Sequence, residues 1–180
     1  MTFAMVGTFM ATDALLYYIF WELSLIPIYF IALLWGNGDM EERKKAVVKF
    51  FIYTLGGSLF MLAALVYLYL QAGSFAIADL YQLRLSCGQQ FWIFMGFFLA
   101  YAIKIPIIPF HTWQADTYRE SPTIGTMLLS GIMLKMGIYG LIRWLIPVLP
   151  LGTAFWTPYV IALCVIGVIY GAIIAIRQDN

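Results

Sequence analysis

Long apolar runs constrain this chain more strongly than any other feature of its sequence. Runs with few charged residues cover 14–35, 46–71, 122–146 and 157–177. A membrane-spanning helix needs about 20 mostly apolar residues, because each residue advances an α-helix by about 1.5 Å. We therefore predict a membrane-spanning helix over each run, and a further one over residues 90–111, where a lysine interrupts the apolar sequence.

The composition of the chain also points to a membrane. The 180 residues are 63% hydrophobic and 11% charged, whereas soluble domains are about half apolar and about a quarter charged. A formal net charge of +1 gives no sign of nucleic-acid binding. We therefore predict an all-α fold, a polytopic transmembrane helix bundle in contact with the lipid bilayer.

Motifs for several other chemistries are missing from the sequence. Cys87 and Cys164 are far apart and match no zinc, iron–sulfur or haem-attachment spacing. The sequence contains no dinucleotide-binding glycine motif, no P-loop and no nucleophile elbow. We therefore predict no metal or cofactor bound by this chain, and no cleavable signal peptide is visible at its start.

The N-terminal apolar stretch divides into two parts. Thr12-Asp13 is a typical helix start, so it separates a stub at residues 1–11 from the first full helix at 14–35. The stub resembles the second half of a helix whose beginning is absent. We treat residues 1–180 as a single transmembrane domain.

Polar connectors and basic residues predict the topology. The most polar connector is 36–45, and its basic residues place it on the cytoplasmic side. Alternation then places loops 72–89 and 147–156 outside, and the polar piece 112–121 and the C-terminus inside. Ser121-Pro122 predicts the start of the fourth helix, with serine as the cap and proline in the first turn.

Four ionisable side chains lie within or at the edge of the predicted spans: Glu22, Lys104, His111 and Lys135. A charge at the centre of a membrane helix costs roughly 2.5–3.5 kcal/mol, so such residues face the protein interior or water and usually pair. Glu22, Lys104 and Lys135 fall near the middle of their spans. They predict either a charge relay or a static ion pair that locks two helices.

Prolines surround the central lysine in the pattern K-x-P-x-x-P-x-H at residues 104–111. A proline cannot donate a backbone hydrogen bond, so Pro106 and Pro109 predict a broken helix beside Lys104. The freed carbonyls must be satisfied by side chains or water, which suits a cavity. Pro27 lies close to Glu22 in the same way, with a simple kink as the alternative.

A buried lysine next to a carboxylate can carry protons. Burial disfavours the charged form of Lys104, while a nearby Glu22 carboxylate favours it. Changing their separation would therefore load or release a proton. His111 can relay protons through its two ring nitrogens.

Small and hydroxyl residues on the fourth helix admit two interpretations each. Gly131, Gly137 and Gly140 predict close approach of another helix. Thr126 and Ser130 follow helical spacing toward Lys135, so they could hold water between charges. The alternative is that these hydroxyls bond back to carbonyls of their own helix.

Three blocks of the sequence carry a resemblance to a known family. FWELSLIPIYFIALLWG (20–36), KFFIYTLGGSLFMLAAL (49–65) and KIPIIPFHTWQADTYRESPTIGTMLLSGIMLKMGIYGLIRW (104–144) resemble subunit M of NADH:quinone oxidoreductase, respiratory complex I. This subunit is the counterpart of mitochondrial NADH dehydrogenase chain 4. It belongs to a wider antiporter-like group that includes the Mrp antiporters and membrane-bound hydrogenases.

The resemblance implies a fold and a set of site residues. It implies half of an inverted-repeat antiporter-like fold, namely the first repeat and the opening helix of the second. Glu22 resembles the family's glutamate that pairs with the broken-helix lysine, and Lys104 resembles that lysine. Lys135 resembles the central-axis lysine, and His111 resembles the histidine between the two lysines. Residues 114–118 depart from the family's usual L-P-D-A-H, although Asp116 is kept.

The resemblance also implies a setting. The chain would carry no redox centre, with NADH, FMN, iron–sulfur clusters and quinone in partner subunits. Its neighbours would be the L- and N-type antiporter-like subunits, in a bacterial inner membrane or, alternatively, a mitochondrial one. We expect either a fragment or a naturally split subunit.

Three functions stay open at this point. The leading one is a proton-translocating subunit that is driven by quinone reduction elsewhere in the complex. The alternative is an Mrp-type Na⁺/H⁺ antiporter subunit that works without redox partners. The third is a scaffold that transports nothing.

Overall fold

The computed structural model describes residues 1–177, so the last three residues of the predicted single domain lie outside the described residues. The described chain is a bundle of helices, which confirms the predicted all-α class. Their bounds are α1 Thr2–Met10, α2 Ala14–Leu23, α3 Leu25–Trp35, α4 Met40–Ala72, α5 Ile77–Gln82, α6 Cys87–Lys104, α7 Thr112–Glu120, α8 Thr123–Val148 and α9 Pro150–Arg177.

Four helical stretches in the described residues are long and apolar enough to cross a membrane. They correspond to four of the five predicted spans and consist of α2 with α3, then α4, α8 and α9. In α8, π-helical turns cover Leu129–Met133 and Leu141–Leu145. Such turns shift the backbone register within an otherwise regular helix, and no feature of the sequence predicted them.

One rim of the bundle, here called the Asp13 rim, is tied by backbone hydrogen bonds. Asp13 caps α2 by accepting a hydrogen bond from the Leu16 amide at 3.0 Å, which confirms the predicted helix start. The Ala14 amide donates to the Phe75 carbonyl at 2.9 Å, and the Ile77 amide donates to the Thr12 carbonyl at 3.0 Å. The stub before α2 and the connector before α5 therefore meet.

The opposite rim, here called the Asn37 rim, joins two connectors that the sequence placed on one side of the membrane. The Asn37 amide donates to the Glu120 carbonyl at 2.8 Å. The Asn37 side chain donates to the Ser121 carbonyl at 3.0 Å. Their shared side agrees with the predicted alternation, and the assignment of that side to the cytoplasm stays a prediction.

The second predicted helix, 46–71, begins too late. α4 starts at Met40, so most of the connector predicted at 36–45 is helical. Glu41 and Glu42 occupy the first turn, where carboxylates favour the positive end of the helix dipole. Glu41 also pairs with Lys45 one turn later at 2.7 Å. The pairing of charges one turn apart therefore favours a helix in this segment, although its polarity suggested a connector.

The third predicted helix, 90–111, starts too late, and the helix stops at the break that the prolines predicted instead of running on to residue 111. α6 begins at Cys87, behind a Ser86 cap, and ends at Lys104. The polar piece at 112–121, predicted as a connector, instead forms α7. Because α6 follows the connector at the Asp13 rim and α7 ends at the Asn37 rim, these two helices together carry the chain across the bundle.

The predicted loop at 147–156 is also wrong. Only Leu149 separates α8 from α9, and Pro158 lies inside α9 rather than before it. Pro150 stands at the first helical position, where a missing amide hydrogen costs little. The buried Gln90 side chain accepts hydrogen bonds from the next two amides, Leu151 at 2.9 Å and Gly152 at 3.2 Å.

The start of the fourth helix differs slightly from the prediction. Pro122 occupies the cap position, and the Ser121 hydroxyl is buried without a hydrogen-bond partner. Gly137 lets α8 approach the end of α6, since a Cβ there would lie 2.7 Å from Ile105 Cγ1. Gly131 instead faces open space, so the prediction of close packing is wrong at that position.

Candidate functional site

Lys104 is the last residue of α6 and lies inside the bundle. Its side chain is buried, with only 2% of the residue exposed, and Nζ has no hydrogen-bond partner. The carbonyl end of an α-helix carries partial negative charge, which favours a cation at that position. Nζ also stands over the Trp21 ring, 5.1 Å from its centroid.

The break after Lys104 has its own hydrogen bonds. Pro106 cannot donate to the Ala102 carbonyl, and the Ile107 amide donates to it instead at 2.8 Å. The Trp113 indole donates to the buried Ile103 carbonyl at 2.9 Å. A backbone amide therefore satisfies the carbonyl that Pro106 frees, where the sequence predicted a side chain or water. The Trp113 side chain satisfies a neighbouring carbonyl that the sequence analysis did not single out.

Glu22 lies in the last turn of α2 and faces Lys104. Its Oε1 atom is buried without a hydrogen-bond partner. The carboxylate is close enough to Lys104 for the two charges to interact electrostatically. In the described residues, however, no nitrogen–oxygen contact of 4.0 Å or less joins them. The structure therefore places Glu22 and Lys104 near each other, but their charged groups do not make a direct contact.

The helix carrying Glu22 is interrupted, although a continuous helix over 14–35 was predicted. Ser24 separates α2 from α3, and its hydroxyl donates to the Trp21 carbonyl at 2.7 Å. Pro27 has no amide hydrogen to donate to the Leu23 carbonyl, so one backbone hydrogen bond of the helix is missing directly after Glu22. Beside Glu22, the Ser58 hydroxyl of α4 donates to the Leu55 carbonyl at 2.9 Å.

An aromatic cluster, defined by Tyr17, Trp21, Tyr101 and Trp144, covers the side of Lys104 toward the Asp13 rim. Ring centroids lie 5.0 Å apart for Tyr17 and Trp144, and 5.7 Å apart for Trp21 and Tyr101. All four side chains are buried. Sequence reasoning missed this cluster, although Trp21 next to Glu22 was a visible signal.

His111 lies at the end of the break and faces α9 instead of Lys135. Its ring meets the edge of the Tyr170 ring with centroids 5.2 Å apart, and Nδ1 is buried without a partner. A cavity of about 690 Å³ separates the break and α7 from α9, and both rings line it. The Tyr118 hydroxyl near this cavity is also buried without a partner.

Lys135 is exposed, although the sequence predicted that it would face the protein interior. Its Nζ donates to the Ser130 carbonyl at 2.6 Å, and it lines a cavity of about 370 Å³ with Phe9 of α1. The Ser130 hydroxyl bonds back to the Thr126 carbonyl at 2.9 Å, as the alternative interpretation held. The described residues therefore do not place Lys135 beside Lys104 or His111.

An ion pair between α4 and α7 fixes the start of α7 and was not predicted. Lys49 of α4 contacts Asp116 at 2.8 Å and also donates to the Thr112 carbonyl at 2.9 Å. The Tyr53 and Thr112 hydroxyls lie 3.1 Å apart. These contacts hold α7 against α4, so the break is anchored on its far side.

The fold and the site together define a multi-pass membrane protein with a lysine buried at a broken helix. The family model described as "NADH:quinone oxidoreductase/Mrp antiporter, TM" matches residues 11–180. The chain belongs to this family, as its resemblance implied.

Similar proteins include subunits of NADH-quinone and NADH-ubiquinone oxidoreductases. Subunit M of NADH-quinone oxidoreductase from Rickettsia conorii is 41% identical over 97% of this chain and 35% of the relative. The Escherichia coli K12 subunit M is 39% identical over 97% of this chain and 36% of the relative. Chain 4 of NADH-ubiquinone oxidoreductase from Chondrus crispus is 39% identical over 98% of this chain and 35% of the relative. This chain thus spans about a third of the length of these relatives.

Solved structures share the fold. A chain of respiratory complex I from Thermus thermophilus, solved with bound NADH, superposes with a TM-score of 0.89 at 34% identity, covering 98% of this chain and 38% of that chain. A chain of an archaeal membrane-bound sulfane sulfur reductase superposes with a TM-score of 0.83 at 23% identity, covering 98% of this chain and 36% of that chain. The second match shows the fold alone.

Proposed function

We propose that this chain forms part of the proton-translocating subunit M (chain 4) of NADH:quinone oxidoreductase. The observation that carries the proposal is the state of Lys104. It is a buried ammonium without a hydrogen bond, at the end of a helix and near an unpaired Glu22. A fixed structural ion pair would be expected to bring these groups into contact, because an unpaired charge in a low-dielectric interior is costly.

The proposed step is a change in the separation of two charges. When Glu22 approaches Lys104, the charged form of the lysine is favoured and a proton is held. When Glu22 retreats, the buried ammonium loses its partner charge and gives up its proton more readily. A rearrangement of a few kcal/mol is enough to shift such an equilibrium between two states.

The onward route in this proposal runs from Lys104 through His111 to Lys135. The cavity of about 690 Å³ beside His111 has room for water molecules, which would link groups that do not touch. Lys135 lies exposed on α8 and would face the helices of the rest of the subunit. The roles of His111 and Lys135 rest on the family resemblance more than on their placement.

The redox chemistry would take place in other subunits. This chain would bind no cofactor, while NADH, FMN, iron–sulfur clusters and quinone belong to partners that supply the driving energy. Its lateral partners would be the L- and N-type subunits, in a bacterial inner membrane or a mitochondrial inner membrane. All the relatives named above are NADH dehydrogenase subunits, which favours this function over Mrp-type Na⁺/H⁺ antiport.

The experiment replaces the lysine in the complete complex. We expect Lys104→Ala to lower NADH-driven proton pumping by about tenfold or more, because no other buried ammonium stands at the break. Pumping is measured by a pH-sensitive dye in membrane vesicles, with assembly checked by native electrophoresis. Lys44→Ala, at an exposed site on α4, is the matched control. Full pumping by an assembled Lys104→Ala complex contradicts the proposal.

A further inference from the structure

We propose that the Trp21 ring is the second partner of the Lys104 ammonium, which holds the cation while Glu22 is apart from it. Trp21 is thus a positioning residue for the proton step. This inference rests on the proposed function and deepens it by naming what stabilises the separated state of the pair. It makes the proton step an exchange of the lysine between a carboxylate and an aromatic face.

The geometry of Trp21 fits this role. The Lys104 Nζ atom lies 5.1 Å from the ring centroid, within the distance of about 6 Å at which a cation is attracted to an aromatic face. Tryptophan gives the strongest such attraction among the aromatic side chains, and exclusion of water strengthens it. Only 1% of Trp21 and 2% of Lys104 are exposed, so little water competes for the ammonium.

The position of Trp21 in the chain explains how one lysine can have two partners. Trp21 and Glu22 are consecutive on α2, so their side chains point in directions about 100° apart around the helix. They therefore approach Lys104 from two sides. The Ser24 hydroxyl bonds to the Trp21 carbonyl at 2.7 Å and fixes the backbone that presents both groups.

Other groups around Lys104 do not replace Trp21. The nearby titratable groups on the packed elements are Glu22 and Tyr17 of α2, Tyr101 of α6 and Tyr139 of α8. Tyr139 donates its hydroxyl to the Phe9 carbonyl at 2.8 Å. The Lys104 ammonium makes no hydrogen bond to either buried tyrosine hydroxyl. Within residues 1–177, Trp21 is the aromatic ring that lies under the ammonium.

The test compares two buried tryptophans of the same cluster. Trp21→Phe and Trp21→Leu are made in the complete complex, with Trp144→Phe and Trp144→Leu as matched controls. Trp144 is equally buried at 1% exposure and packs on Tyr17, but not under Lys104. NADH-driven pumping is measured from acidic to alkaline pH in vesicles containing the assembled complex.

We expect only the Trp21 variants to change the pH profile. Loss of the ring removes stabilisation of the ammonium, so Trp21→Leu moves the alkaline limb of pumping to lower pH by about one unit. Trp21→Phe keeps a weaker aromatic face and shifts the limb by less. The Trp144 variants lower the amplitude or the yield of complex and leave the limb in place.

Two results overturn the inference. One is a Trp21→Leu profile that overlays the wild type, and the other is an equal shift in the Trp144 variants. If Trp21→Leu does not assemble, Trp21→Phe decides in the same way, since a shift supports the inference and an overlay contradicts it. Lys104→Ala in the same assay separates the two proposals, because loss of pumping there with an unmoved Trp21 profile rejects this inference alone.

Discussion

The two charges of the site sit at two helix breaks of very different width. The break after Glu22 consists of Ser24 alone, and its amide still bonds back to the Phe20 carbonyl at 3.1 Å. The break after Lys104 covers residues 105–111 and includes two prolines. The first break leaves its helix nearly continuous, while the second separates the 18-residue α6 from the nine-residue α7.

This difference indicates which partner moves. A nearly continuous helix holds Glu22 and Trp21 in fixed directions. The wide break, in contrast, means that no regular helical hydrogen bonds continue from the end of α6 into α7. The end of α6 also places Lys104 in the partial negative charge of the last carbonyls. We therefore expect the change in separation to arise mainly on the lysine side.

The largest effect is expected from Glu22→Gln, which keeps the shape of the side chain but removes its charge. The charged form of Lys104 then loses its carboxylate, and we expect NADH-driven pumping to fall by about tenfold, equivalent to roughly 1.4 kcal/mol. Pumping per assembled complex is the measurement. Glu41→Gln, at an exposed pair with Lys45, should retain pumping. Unchanged pumping in Glu22→Gln would remove the charge pair from the mechanism.

Among the effects on stability, the largest is expected at the wide break from Trp113→Phe. This change removes the indole donor of the buried Ile103 carbonyl, and an unsatisfied buried polar group costs about 1–3 kcal/mol. The expected result is a lower temperature of thermal inactivation for the complex. Trp92→Phe is the control, because Trp92 is 73% exposed. Equal inactivation temperatures for the two variants would show that the bond does not support the break.

The narrow break should tolerate loss of its hydroxyl better. Ser24→Ala removes the hydrogen bond to the Trp21 carbonyl and should cost about 0.5–1.5 kcal/mol. Thr157→Ala removes a similar bond, to the Thr153 carbonyl, from an unbroken helix and serves as the control. Thermal inactivation is again the measurement. A larger loss for Ser24→Ala than for Trp113→Phe would reverse the comparison of the two breaks.

The smallest effect is expected at the anchor of α7. Lys49→Met breaks the contact with Asp116, whose side chain is 44% exposed, and partly exposed ion pairs contribute roughly 0.2–1 kcal/mol. We expect a small loss of thermal stability that disappears at high salt, where the pair is screened. Lys44→Met on the same helix is the control. A loss that persists at high salt would point to the hydrogen bond with Thr112 instead.

Much of the fold could be predicted from the sequence because apolar length and proline position are strong signals. The runs around α2, α8 and α9 and the break at Lys104 all followed from them. The start of α4 was missed although its signals are local, namely Glu41 and Glu42 in the first turn and the pair of Glu41 with Lys45. The start of α9 was missed because the distant Gln90 side chain caps it. Contacts between residues far apart in the chain leave no local pattern.

The candidate site divides in the same way. Glu22 and Lys104 were predicted as neighbours, since charges within apolar runs need partners, and the structure brings them close. Trp21 and Trp113 were missed, because an aromatic residue in a membrane helix usually signals only packing. The relay roles of His111 and Lys135 stay predictions, since these residues lie on different faces of the described chain.

The backbone ties at both rims have a mechanical consequence. Amide–carbonyl bonds join Ala14 to Phe75 at one end of the bundle and Asn37 to Glu120 at the other. Because both ends of the bundle are held together by backbone hydrogen bonds, movement is confined to the region between them. Distance probes placed on the loops should therefore record little during turnover, while probes near residues 102–108 should record the stroke.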